Sequence, residues 1–207
     1  VKNKVNHPQF TKLYIWGQGI LEAYVGDIRA LQNQRAIGRT LIVGAGTGLD
    51  LHSLNPGVTE VVLLEPDPAM TRYLRKHYPD FMVVQSSAEC MELASDQFDT
   101  VITSLVLCSV EDVAQTLHEV WRVLKGNGNY LFFEHVQHES TWPRRVQNLV
   151  NPLWRKVAGG CQLNRDVRSE ILESPLILEE YRVVKPNLIA PMIVGRAVAS
   201  RSSKQRR

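Results

Sequence analysis

The chain has 207 residues, 44% hydrophobic and 22% charged, which is about one domain's length and the composition of a soluble fold with a sizeable core. Its net charge is +3, but the tail RSSKQRR (201–207) carries four positive charges and no acid, leaving the body near neutral. That balance speaks against a nucleic-acid partner and predicts a frayed, solubilising end.

Cys90, Cys108 and Cys161 are odd in number and far apart, with no CxxC pair. They argue against a disulfide framework and against a zinc site, so no metal is expected, and they fit a reducing, cytoplasmic setting. No stretch reads as a signal peptide, and the longest apolar runs, VITSLVLCSV and LIAPMIVGRAVA, fall short of the roughly 18 residues a membrane span needs.

Apolar residues at Phe10, Leu13, Tyr14, Ile20, Leu21, Tyr24, Ile28 and Leu31 follow three-and-four spacing, which predicts one or two amphipathic helices over 10–31. From residue 38 the period changes. TLIVG (40–44), EVVLLE (60–65), FMVVQ (81–85), FDTVITS (98–104) and NYLFFEHV (129–136) are short apolar runs, as expected of parallel strands covered on both faces. Between them, Asp67-Pro68 predicts a helix start, Ser109 with Asp112 resembles a capping box, and Gly126 reads as a helix stop. Strands alternating with helices define right-handed βαβ units. Farther on, the stripe Trp142, Val146, Leu149, Leu153, Val157 is broken at Asn151-Pro152, predicting two short helices, with another near 166–173. ILEEYRVVK and MIVGRAVA alternate like antiparallel strands. One α/β domain is expected: a helical cap over 1–37, a core over 38–137, and substrate-side helices with a final hairpin over 138–207.

Gly44-Ala45-Gly46-Thr47-Gly48 follows the first strand directly. Such glycines let a ligand lie against bare backbone, and a following helix would aim its free N–H groups at that ligand. Glu65 ends the second strand, where an acid can accept hydrogen bonds from two ribose hydroxyls. A dinucleotide turn would need glycine at position 49, which is Leu49, and no Gly-Lys-Ser or Gly-Lys-Thr follows to make a phosphate loop. The ligand expected is a ribose-bearing cofactor without a pyrophosphate.

GAGTG, the strand-end acid of LLEPDP, SSAE, FDTVITSLVLCSV, and EVWRVLKGNG before NYLFFEHV resemble, in this order, the class I S-adenosylmethionine-dependent methyltransferases. The resemblance covers residues 38–137 most firmly. It implies a Rossmann-like, seven-stranded sheet, mostly parallel with a C-terminal antiparallel hairpin and helices on both faces. It also implies that Gly44, Ala45, Gly46 and Gly48 face the methionine part of S-adenosylmethionine, and Glu65 with Pro66 the ribose. Ser87, Ala88 and Glu89 would line the adenine, and Ser104 and Leu105 would pass beneath the sulfonium; S-adenosylhomocysteine would be the product. Ser87 and Glu89 could equally cap a helix. The family often carries an acid where this chain has Ile42. If Ile42 faces the cofactor, Ile42→Glu should strengthen or preserve its binding.

Methyl transfer from a sulfonium requires a deprotonated nucleophile held in line with the methyl. His135, ending a core strand, can serve as proton acceptor or positioning group; partnership with Glu134 is the alternative. Cys108 reads as a buried small residue rather than a nucleophile. SLVLCSV, LFFEHV, STW and GGCQLNRD resemble a branch that includes thiol S-methyltransferases, with bacterial relatives acting on phospholipids or quinones. Three functions follow: methylation of a small-molecule acceptor, first of all a thiol; methylation of a lipid or quinone at a membrane surface; or a cofactor-binding module without activity. Basic residues beside Trp142 and Trp154 allow transient membrane-surface contact by a chain otherwise expected in the cytoplasm.

Overall fold

The structure, a computed structural model, describes residues 8–187 and 189–200; the basic tail lies outside them. Seven strands, β1 (Gly38–Val43), β2 (Val58–Leu64), β3 (Met82–Val84), β4 (Phe98–Ser104), β5 (Leu124–His135), β6 (Ile177–Lys185) and β7 (Met192–Val198), form one sheet in the order β3-β2-β1-β4-β5-β7-β6. β3, β2, β1, β4 and β5 run parallel, whereas β7 is antiparallel to both β5 and β6. The order reverses between β1 and β4, the switch point at which open α/β sheets hold ligands beyond their strand ends.

Five helices cover the sheet: α1 (Pro8–Asn33), α2 (Pro68–His77), α3 (Val113–Val123), α4 (Thr141–Val157) and α5 (Val167–Glu173). Strand alternation sorts the core into two sides. Leu41, Val43, Val101, Tyr130 and Phe132 pack with Leu117, Val120 and Val123 of α3 and Ile171 of α5. Ile42, Ile102 and Leu131 pack with Leu74 of α2, while Phe133 meets Val25 and Ile28 of α1. Fully burying side chains of this size stabilises by about 1.5–3 kcal/mol each, which is why the apolar runs became interior strands.

Several local expectations change. Residues 8–33 form one helix. The glycine turn leads only into a five-residue 3-10 turn, Leu49–Ser53, and no longer helix follows. Asp112, not Ser109, caps α3, its carboxylate accepting from the Gln115 N–H at 2.9 Å. Gly126 does not stop that helix: Leu124 turns to extended backbone and pairs with Phe98, so the helix passes straight into β5. Residues 141–157 form a single helix despite Pro152. The proline forfeits one bond, on an exposed turn beside Asn148, where solvent can serve the freed carbonyl. Asp67 and Pro68 start α2 as expected, with Asp67 accepting from the Ala69 and Met70 N–H groups.

Candidate active site

The ends of β1, β2, β4 and β5 bring the site together. Gly44, Gly46 and Gly48 adopt φ of 63°, 55° and 84°, left-handed values that a side chain resists. Gly44 is also sterically required: a methyl there would lie 2.7 Å from Val106 Cγ2. Ala45 is buried and anchors the turn through its N–H to Leu64 O at 3.1 Å.

Glu65 stands beside this turn. One carboxylate oxygen accepts from Gly46 N at 2.8 Å, and the other, across Pro66, accepts from Asp67 N at 2.9 Å. Burial pushes its carboxyl up to about 7, against the opposing pull of those two N–H groups. Thr47 Oγ1 is buried with no hydrogen-bond partner among the described residues. An acid without a cation partner and an orphaned hydroxyl flanking a glycine turn fit a polar, hydroxyl-bearing ligand such as the cofactor's ribose and amino-acid part.

The other expected cofactor residues divide. Ala88 is buried, and Ser87 closes a turn by accepting the Cys90 N–H at 3.3 Å. Neither Ser87 nor Glu89 caps a helix, because residues 85–97 contain none. The Glu89 carboxylate instead takes the Glu111 N–H at 2.9 Å, fastening this loop ahead of α3. Leu105 has φ of 60°, uncommon for a branched residue, and donates its N–H to Phe133 O at 2.7 Å. Such strain is held where the surrounding structure over-determines it, and it turns residues 105–110 across the sheet end.

Ile42 turns into the apolar core. It is 1% exposed among Ala36, Leu63, Leu74, Ile102 and Leu131, so the condition set for Ile42→Glu is not met. A further acid at this end of the sheet, which the sequence did not single out, is Asp50. Its Oδ1 accepts from Arg29 Nη1 at 3.0 Å, Asn33 Nδ2 at 2.9 Å and Ser104 Oγ at 2.7 Å. Gln32 also donates to Thr103 O and Ser104 Oγ, so α1 carries a buried polar row onto the ends of β1 and β4.

His135 is half-buried at the end of β5, where its partner among the described residues is Cys161 rather than Glu134. Glu134 is fully buried and accepts from the Val106 N–H at 3.1 Å, holding the 105–110 turn. His135 Nδ1 faces Cys161 Sγ at 3.6 Å, and Cys161 Sγ lies 3.4 Å from Cys108 Sγ. Bonding to Cys161, then burial, holds the Cys108 thiol well above its usual range; Cys161 is pulled down to about 5, chiefly by bonding to Cys108. The segments carrying them are laced together. Gln162 N donates to Cys108 O at 2.8 Å, and Arg165 donates to the carbonyls of Leu107 and Val110. Fully buried Gln147 of α4 donates to Val136 O, Leu163 O and Ile189 O.

Known proteins resemble this chain in sequence and in fold. The family profile described as a methyltransferase domain matches residues 41–132, from β1 into β5. Thiol S-methyltransferase TMT1B of Homo sapiens is 31% identical, covering 76% of this chain and 69% of its own. Thiol S-methyltransferase TMT1A of Homo sapiens is also 31% identical, with the same coverage. Among solved structures, the YcgJ protein of Bacillus subtilis superposes with a TM-score of 0.70 at 16% identity, over 86% of this chain and 98% of that one. Geranyl diphosphate methyltransferase, solved with GPP and sinefungin, gives 0.67 at 12% identity, over 86% and 79%. The chain belongs to the class I S-adenosylmethionine-dependent methyltransferases, and it is an enzyme of that family. Its fold and its neighbours imply use of S-adenosylmethionine. No described helix is long and apolar enough to cross a membrane.

Proposed function

We propose that the protein transfers a methyl group from S-adenosylmethionine to the sulfur of a small thiol. The observation that carries this reading is the likeness to two curated thiol S-methyltransferases over three quarters of the chain. When bound, the cofactor supplies a methyl group activated by its sulfonium. Gly44 to Gly48 receive its methionine part, and Glu65, beside Pro66, accepts from the ribose hydroxyls. Ala88, with Ser87 and Glu89, would line its adenine, and Ser104 and Leu105 would hold its sulfonium end. His135 stands at the sheet end where the acceptor sulfur must sit, and it takes the thiol's proton or orients the sulfur. A thiol suits the site physically, because its free pKa of about 8.5 lets modest help produce the thiolate.

A second reading is favoured by one observation. α4 exposes Trp142, Leu149, Leu153 and Val157 beside Arg144, Arg145, Arg155 and Lys156. Such a face suits transient contact with an anionic membrane and hence a lipid or quinone acceptor. Turnover of methyl-labelled cofactor against small thiols, a quinone precursor and phospholipid vesicles tests the two together. Labelled thioether supports the thiol reading; labelled lipid or quinone with no labelled thioether replaces it with the second.

A further inference from the structure

The three side chains at the acceptor end, Cys108, His135 and Cys161, each offer one ligand atom, and these atoms all lie within 4.8 Å of one another. Nothing in the chain's spacing announces this. The two cysteines are 53 residues apart, and the strand carrying His135 runs between them. The absence of a CxxC pair argued against zinc, but the fold makes the pair that the spacing lacks.

We infer that Cys108, Cys161 and His135 bind a zinc ion whose fourth position takes the acceptor sulfur. The inference rests on the thiol reading for the identity of that fourth ligand, but not for the metal site itself. The first ground is geometry. Around tetrahedral zinc, with Zn–S of about 2.3 Å and Zn–N of about 2.0–2.1 Å, two sulfurs stand about 3.7 Å apart and sulfur and nitrogen about 3.5 Å. Here Cys161 Sγ is 3.6 Å from His135 Nδ1 and 3.4 Å from Cys108 Sγ, so the sulfurs need part by only a few tenths of an ångström, and the Cys108–His135 edge, within 4.8 Å, closes by at most about 1.3 Å on binding.

The second ground is chemistry. Two thiolates and an imidazole form a soft donor set that suits zinc, and three protein ligands with an open position mark catalytic rather than structural zinc. Two thiolates also balance the charge of the ion.

The third ground is support and location. The carbonyl of Cys108 is bonded to Gln162 N, Arg165 straps the 105–110 turn to the Cys161 loop, and Gln137 N bonds Arg165 O at 2.8 Å. The ligand atoms are therefore held before any ion arrives. Both sulfurs are buried and His135 is half-exposed, so the fourth ligand enters past the imidazole. The same turn that carries Cys108 packs Val106 against Gly44, which places the cluster beside the proposed cofactor cradle. In this arrangement His135 is a ligand rather than a proton acceptor.

A thiol bound to zinc gives up its proton outright, so the acceptor is a thiolate at neutral pH. Its lone pair forms the new S–CH3 bond while the bond from the methyl to the sulfonium sulfur breaks. The electron pair stays with that sulfur, leaving neutral S-adenosylhomocysteine, a neutral thioether, and a proton released to solvent.

The test uses the reduced full chain, stripped with a chelator and titrated with Zn2+ or Co2+. One equivalent of Zn2+ should remain after gel filtration, with X-ray absorption showing two sulfur ligands and one nitrogen ligand from the protein. Bound Co2+ should show thiolate-to-metal absorption that shifts when a small thiol is added. Cys161→Ser should weaken Zn2+ binding by roughly 100-fold or more. S-methylation should vanish on chelation and return with Zn2+, while S-adenosylhomocysteine affinity stays within about twofold, since the cradle is separate. A reduced chain that retains no Zn2+, or a shell without sulfur, overturns the site. Full thiol turnover by the metal-free protein overturns its role and leaves the thiol reading standing. Zinc held by two sulfurs and one nitrogen, with no thioether from any thiol, upholds the site and refutes the thiol reading instead.

Discussion

Replacing Glu65 by Gln should stabilise the protein increasingly as pH rises and at the same time weaken its hold on the cofactor. Burial pushes the Glu65 carboxyl from 4.5 up to about 7. Below pH 4.5 the folded and unfolded chains both keep this proton, and the residue contributes nothing to pH dependence. Between 4.5 and about 7 the unfolded chain releases the proton while the folded chain retains it, so stability falls as pH rises and levels off above about 7. The loss amounts to about 3 kcal/mol. Gln does not titrate. Its amide fits only one of the N–H groups of Gly46 and Asp67, a cost that is the same at every pH. Urea unfolding of both proteins at pH 5 and pH 8 should therefore show the variant gaining about 2 to 3 kcal/mol relative to the parent across that interval. Calorimetry with S-adenosylhomocysteine at pH 8 should show binding weakened roughly 10- to 150-fold, the value of hydrogen bonds to a charged acceptor. Parent binding should tighten as pH rises through 7, and variant binding should not. A stability gap that does not change with pH would refute the burial argument. Unchanged affinity would remove Glu65 from the cofactor site.

Ile42→Glu should destabilise the fold by several kcal/mol, read by urea unfolding, because the carboxylate would enter an apolar cluster without a partner; a stable, tighter-binding variant would contradict that placement. Gly44→Ala should cost about 1 to 3 kcal/mol, from its left-handed φ and the clash with Val106. Added to Gly44→Ala, Val106→Ala should cost less than it does alone, because it removes the clash; simple additivity in urea unfolding would mean that the steric reading is wrong. Asp50→Ala should cost about 3 kcal/mol in thermal or urea unfolding, since it removes the buried carboxylate that Arg29, Asn33 and Ser104 share. A neutral outcome would show that this buried polar row does not depend on the Asp50 carboxylate.

The sheet was legible because its strands are uninterrupted apolar runs, and such runs have few other homes in a chain of this composition. Glu65 was legible for the opposite reason: a lone acid ending an apolar strand must meet something polar. Asp50, Gln147 and Arg165 were not legible. Each is a polar residue held buried or half-buried by partners far away in sequence, and no period or spacing marks that. The helix caps were half legible, since Ser109 and Asp112 both have the chemistry and only the path of residues 105–110 decides between them. Ile42 shows the limit of reading roles by position alone. Its neighbours Val43 and Leu41 turn to one side of the sheet, so Ile42 turns to the other, into the core. Cys108 and Cys161 were read as separate cysteines, and only the loop laced by Gln162 and Arg165 joins them.

The most direct measurement is mass spectrometry of a single incubation of the reduced chain with methyl-labelled S-adenosylmethionine, a small thiol and Zn2+. Labelled methyl thioether and S-adenosylhomocysteine should appear in equal amounts and increase together with time. A protein that binds the cofactor yet yields no thioether from any thiol tried, with or without Zn2+, would contradict the assignment as a thiol methyltransferase.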